Sequence, residues 1–164
     1  MSNGTRRLAA MINPSGDAFP DDDSTKLIEL QAAGRCPGAA RHVLLRWTNG
    51  QNGHVSYTQL IHLIGGQGNY AFYTPQVQPH SEASRQFSTF YPLGYYTRAQ
   101  RDQIIALAQS IPFDRNSHVN NCCVWMRDLL RAMVAYGLLR KDIFDRVVAA
   151  TPLERLVPRS DGTA

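Results

Sequence analysis

The chain has 164 residues, a formal net charge of +4 and three cysteines, which is length enough for one domain with a buried core. No apolar run approaches the roughly 18 residues needed to cross a membrane, and the first residues lack the charged-then-apolar plan of a secretory leader. A cytoplasmic protein is therefore expected, and because Cys36, Cys122 and Cys123 are odd in number and two are adjacent, reduced thiols are expected instead of a disulfide framework.

Basic residues are scattered as single arginines, with no Lys/Arg block, paired zinc-finger spacing or RNA-recognition motif, so no DNA or RNA stripe is indicated. Gly65-Gly66-Gln67-Gly68 lacks the Lys-Ser/Thr of a phosphate loop and reads as a turn.

Residues 1–24, rich in Ser, Asn, Gly and Pro and carrying Asp21-Asp22-Asp23, read as a flexible arm. A single domain is expected over 25–152, with a flexible tail over 153–164 that includes Leu-Val-Pro-Arg-Ser, which resembles part of a thrombin cleavage sequence. Lys26 to Leu30 reads as a short strand, broken by Gly34-Arg35-Cys36-Pro37-Gly38. Arg41 to Trp47 and His54 to Ile64 read as a hairpin around Asn49-Gly50-Gln51-Asn52-Gly53. A turn centred on Gln51 places His42 opposite Leu60 and diagonal to His62, and the period of two puts both imidazoles on one face.

Asn69 to Tyr73 reads as a further strand, Gln76 to Arg85 as a polar loop, and Phe87 to Tyr96 as one or two strands divided near Pro92-Leu93-Gly94. Thr97-Arg98-Ala99-Gln100 has the form of a capping box and opens a helix that Ile111-Pro112 stops. The last helix runs from about Arg140 to Ala150. Trp47, Tyr70, Phe72 and Trp125 are expected in the core. The class is α+β: a small antiparallel sheet packed with helices.

Between these helices lies Asn120-Asn121-Cys122-Cys123-Val124-Trp125. Trp125, Leu129, Leu130, Met133 and Tyr136 recur at helical spacing, and Asn120 or Asn121 can cap the helix before it ends at Gly137. Cys122 then lies in the first turn, where unpaired amides and the helix dipole favour thiolate, while Cys123 turns toward the core. A cysteine nucleophile needs a base, and that base works better when a third group fixes its tautomer. His42 and His62 supply those types, with His54 or His118 as substitutes and His80 in an exposed loop.

Arg41-His42-Val43-Leu44-Leu45, Leu60-Ile61-His62-Leu63-Ile64 and Asn121-Cys122-Cys123-Val124-Trp125 together resemble the lecithin:retinol acyltransferase group. That group has the circularly permuted, NlpC-type topology of papain-like enzymes; small fungal proteins carry a similar Asn-Cys-x-x-aromatic step. The resemblance spans about 41–136 and implies Cys122 as nucleophile, His42 as base and His62 as orienting member. It departs from the group in a longer hairpin loop, in Cys123-Val124 where Glu-His often follows the cysteine, and in lacking the C-terminal hydrophobic anchor, which moves the expectation away from phospholipids and retinyl esters.

The expected activity is hydrolysis or acyl or aminoacyl transfer on an amide, ester or thioester, through a thioacyl intermediate and without a cofactor. The substrate is then a small molecule, a peptide or an aminoacyl compound. Two other readings stand beside it: a binding protein or scaffold with a structural cysteine, and a zinc site of two His and one Cys with water in the fourth position.

Overall fold

The structure, a computed structural model, describes residues 14–33, 42–66, 69–72, 76–113 and 122–151. In chain order they form α1 (Pro14–Ala18), β1 (Lys26–Ala33), β2 (Val43–Asn52), β3 (Val55–Ile61), β4 (Leu63–Gly66), β5 (Asn69–Phe72), β6 (Gln76–Ser81), α2 (Glu82–Arg85), β7 (Ser88–Tyr96), α3 (Arg98–Ser110), α4 (Cys122–Ala135) and α5 (Lys141–Ala150). Five strands make one antiparallel sheet in the order β6-β3-β2-β1-β7, and β4 and β5 make a separate hairpin. The fold is α+β.

One face of the sheet carries Ile28, Leu30, Val43, Leu45, Trp47 and Ile61 against Ile104 and Ala108 of α3 and Trp125, Met126, Leu129, Leu130 and Met133 of α4. Each large side chain fully removed from water there contributes about 1.5–3 kcal/mol. The capping box forms: Thr97 Oγ1 accepts from the Gln100 amide, and Gln100 Oε1 accepts from the Thr97 amide. Trp47 and Trp125 are core residues, whereas the side chains of Tyr70 and Phe72 lie outside the described set, as do residues 153–164. Among the described residues no helix is long and apolar enough to cross a membrane.

The hairpin differs from its expected register. β2 continues through Gln51 to Asn52, and the turn falls on Gly53-His54, with Asn52 facing Val55. Gly53 has φ +61°, the sign that a type II′ turn places at its first central residue and that glycine adopts without strain. Asn52 facing Val55 pairs even with odd positions, but a bulge between Thr48 and Gly50 makes Asn49 an extra residue. Beyond it Thr48 faces Thr58 and Arg46 faces Leu60, so even positions share a face with even positions.

Gln76 to Arg85 is not a loop. Its first part is edge strand β6, paired with β3 from Leu60↔Gln76 to Val55↔Ser81, and its second part is the helical turn α2. Proline and glutamine masked the strand, yet an edge strand tolerates Pro79 because alternate amides there point away from the sheet and need no strand partner. Phe87 to Tyr96 yields the single strand β7, where a register shift opposite Ile28/Glu29 absorbs Leu93 as an extra, buried residue.

Residues 14–24 are anchored by particular side chains although none of them is buried. Phe19 stacks on Tyr57 with ring centroids 3.8 Å apart. Asp21 accepts from Arg101 Nε at 2.8 Å and Nη2 at 2.9 Å, from Lys26 Nζ at 2.8 Å and from Trp47 Nε1 at 3.2 Å. Composition reads these residues as an arm because it counts apolar surface; a carboxylate meeting a wholly buried guanidinium anchors them instead.

Candidate functional site

α4 places the thiol. Its apolar stripe docks on the sheet, with α4 in contact with β2 and β4, and leaves Cys122 half-buried in the first turn. Cys123, one position round the helix, is buried in the core cluster. Tyr136, expected on the apolar stripe, is 64% exposed because the helix has ended at Ala135. The expected caps, Asn120 and Asn121, lie outside the described residues, as do Cys36 and His118.

His42 immediately precedes β2, and His62 is the single residue separating β3 from β4. Their rings meet edge to face, with centroids 5.2 Å apart, and His42 Nε2 lies 3.0 Å from His62 Nδ1. The Cys122 thiol hydrogen-bonds the same His42 side chain and also receives the Val43 backbone N–H. Since Nε2 is engaged by His62, the Nδ1 side of the ring is left for sulfur. The sequence contains no signal for Val43, because its contribution is a backbone amide delivered by the turn of the chain after His42.

The electrostatics separate the roles of the two imidazoles. Burial, then the neighbouring His42, pushes His62 down to about 4. His62 is therefore neutral at physiological pH, and with its proton on Nε2 the ring offers Nδ1 as the acceptor for His42 Nε2–H. Cys122 is held down at about 4. The hydrogen bond with Cys123 contributes most, burial opposes it, and the His42 hydrogen bond, the Val43 amide and the His42 charge all add to the lowering. A thiol is a weak donor, so we take the imidazole and the amide as the partners that hold the thiolate.

The other histidines do not join this group. His54 is exposed in the β2–β3 turn, at the far end of the hairpin. His80, expected in an exposed loop, is half-buried on β6 and faces Ser56. A cavity of about 210 Å³ lined by Lys26, Leu27, Glu29, Trp47 and Thr48 opens further along β2 and does not include the thiol or either imidazole. Among the described residues, no group of three or more His, Cys, Asp or Glu side chains is arranged to hold a metal ion. No known family, curated protein or solved structure matches the chain.

Proposed function

We propose that this protein is a cysteine-dependent acyl-transfer enzyme, a hydrolase or an acyl or aminoacyl transferase, with Cys122 as nucleophile, His42 as acid and base, and His62 as the residue that orients His42. The observation that carries this reading is the continuous chain from the Cys122 thiol through His42 to His62 Nδ1 at 3.0 Å. A thiol in a helix first turn, bonded to an imidazole whose far nitrogen is fixed by a third group, is the arrangement nucleophilic acyl transfer requires. The chain order, strand histidine, strand histidine, helix cysteine, favours the permuted NlpC-type topology and the resemblance to the lecithin:retinol acyltransferase group. A reducing compartment such as the cytoplasm would keep this thiolate free.

In the first half-reaction the thiolate attacks the carbonyl carbon, a C–S bond forms, and the electron pair moves to oxygen. Backbone amides at the start of α4 stabilise that oxyanion. The tetrahedral adduct collapses as the imidazolium of His42 protonates the leaving group, giving the thioacyl enzyme. In the second half-reaction neutral His42 takes a proton from water, an amine or a hydroxyl as it attacks the thioester, and sulfur leaves as thiolate. Throughout, His62 accepts from His42 Nε2–H and keeps the ring aimed at sulfur.

The test is intact-mass measurement after exposure to p-nitrophenyl acetate at neutral pH. A single acetyl adduct on Cys122, absent from Cys122→Ser and accumulating more slowly in His42→Ala, is the expected result. Equal acetylation of Cys122→Ser, or none in the parent protein, would leave Cys122 as a structural thiol on a binding scaffold.

A further inference from the structure

The face of the sheet turned away from α3 and α4 carries a second concentration of chemistry. β6 and β7 are opposite edges of the sheet, yet α2 contacts both strands, and only residues 82–87 connect them. Five flat strands would set those edges about 19 Å apart, near the limit of what a helical turn and two turn residues can reach, so the sheet is curled toward α2. Gln31, Leu44, Arg46, Thr58 and Leu60 are all buried on this concave side.

Arg46 is the unusual member, at 1% exposure. Its Nη2 donates to Thr58 Oγ1 at 3.3 Å, while Nη1 is buried without a hydrogen-bond partner. Its guanidinium stands 5.0 Å from the centroid of the Phe90 ring, and that of Arg85 stands 4.5 Å from the same ring. His80 Nδ1 is likewise buried and unpartnered. No ion pair among the described residues joins Arg46, Arg85 or His80 to a carboxylate; Glu29, across the ladder from Arg46, is the acidic group that Arg46 feels. Burial and then the neighbouring arginines depress His80, and burial followed by Arg85 depresses Arg46, so the two guanidinium groups repel each other and hold the His80 ring toward its neutral form. A buried guanidinium with an idle donor beside a second guanidinium is costly unless an anion completes it.

We propose that this concave face is an oxyanion-binding site, taking a phosphate group through Arg46, Arg85 and His80, with Phe90 as the platform that holds the two guanidinium groups together. Paired guanidinium donors match the geometry of phosphate oxygens. The group is either free phosphate or the phosphate of a monoester. The site is built on β2, β6, α2 and β7 and does not depend on Cys122.

The experiment is calorimetric titration of the full chain with inorganic phosphate and with phenyl phosphate, at constant ionic strength set by chloride, together with the His80 imidazole midpoint followed by NMR. Saturable 1:1 binding is expected, weakened at least tenfold in Arg85→Gln, retained in Cys122→Ser, and accompanied by an upward move of the His80 midpoint. Tighter binding of phenyl phosphate identifies an ester site, and tighter binding of inorganic phosphate a free-ion site. Arg85→Gln is the primary variant because Arg85 is exposed and its loss spares the interior; Arg46→Met is secondary. No saturable heat with either probe, equal affinity in Arg85→Gln, or an unmoved His80 midpoint overturns the proposal.

Discussion

His42→Ala tests the thiolate directly. In the intact protein Cys122 titrates at about 4, against about 8.5 for a free cysteine. The substitution removes a hydrogen bond to a charged group, worth about 1.5–3 kcal/mol, and the attraction of the imidazolium. Two unit charges about 4 Å apart attract by about 4 kcal/mol at an effective dielectric of 20, and the exposure of His42 to water cuts that to roughly 1–2 kcal/mol. At 1.36 kcal/mol per pH unit the midpoint should rise by about 2–4 pH units, leaving the Val43 amide and the helix start to hold the remainder. The assay is iodoacetamide alkylation of Cys122 by mass spectrometry from about pH 4 to 9, with Cys36 as the internal comparison. The midpoint must be read, not the bare rate: a more basic thiolate is intrinsically more reactive, with a Brønsted slope of about 0.4–0.5, and this offsets roughly ten- to hundredfold of the loss. A parent midpoint near that of a free thiol, or an unchanged midpoint in His42→Ala, would refute the thiolate–imidazole pair.

His62 should remain neutral, with its proton on Nε2, from about pH 5 upward, observable by long-range nitrogen–proton NMR correlations. Its folded midpoint of about 4 lies below the ordinary 6.5, so the unfolded chain takes the proton first and the stability tied to His62 falls as pH drops from 6.5 toward 4; His62→Gln should flatten that slope in urea titrations. Asp21→Asn should destabilise the protein by about 3–5 kcal/mol in denaturant unfolding, because wholly buried Arg101 loses its counter-charge. Burial alone would raise Asp21, but the bonds from Arg101 and Lys26 outweigh it and hold the carboxyl below 3.8, so that contribution is present above pH 3.8 and disappears as acid protonates the group. Gly50→Ala places a methyl 2.5 Å from Phe19 Cδ1 and should cost about 1–3 kcal/mol, a loss largely absent when Phe19 is already alanine.

Much of the architecture was legible from local pattern. The Thr97 capping box, the apolar stripe of α4 and the helix start at Cys122 all depend on residues within one or two turns of each other, and sequence spacing fixes these. Strand pairing does not work that way. Pro79 and the polar Gln76 and Gln78 made β6 read as loop, because the ladder with β3 that stabilises it involves residues about twenty positions away. The packing of 14–24 was hidden for the same reason: Asp21 gains its partners from β1, β2 and α3, and nothing beside it in the chain announces Arg101. Residue types at the site were readable; the hydrogen bonds from Val43 and between the two rings were not.

The two histidines meet for a reason that the expected register did not contain. From the observed turn at Gly53-His54, uninterrupted pairing would have matched even positions with odd ones all the way to the end of the hairpin. His42 and His62, both even, would then have pointed to opposite sides of the sheet. The extra residue at Asn49 exchanges that parity once, and the exchange persists through Leu45↔Ile61 to the strand ends where the imidazoles sit. Asn49 is held from two directions: its Nδ2 donates to Phe19 O at 3.1 Å and to Gln59 Oε1 at 3.2 Å. Phe19 is in turn fixed by its stack on Tyr57 and by the neighbouring anchor at Asp21. Residues 14–24 thus brace, well along the hairpin from the imidazoles, the irregularity that lets a neutral His62 reach His42. Register, set far from the chemistry, decides whether this chain has a dyad of imidazoles or two unrelated surface histidines.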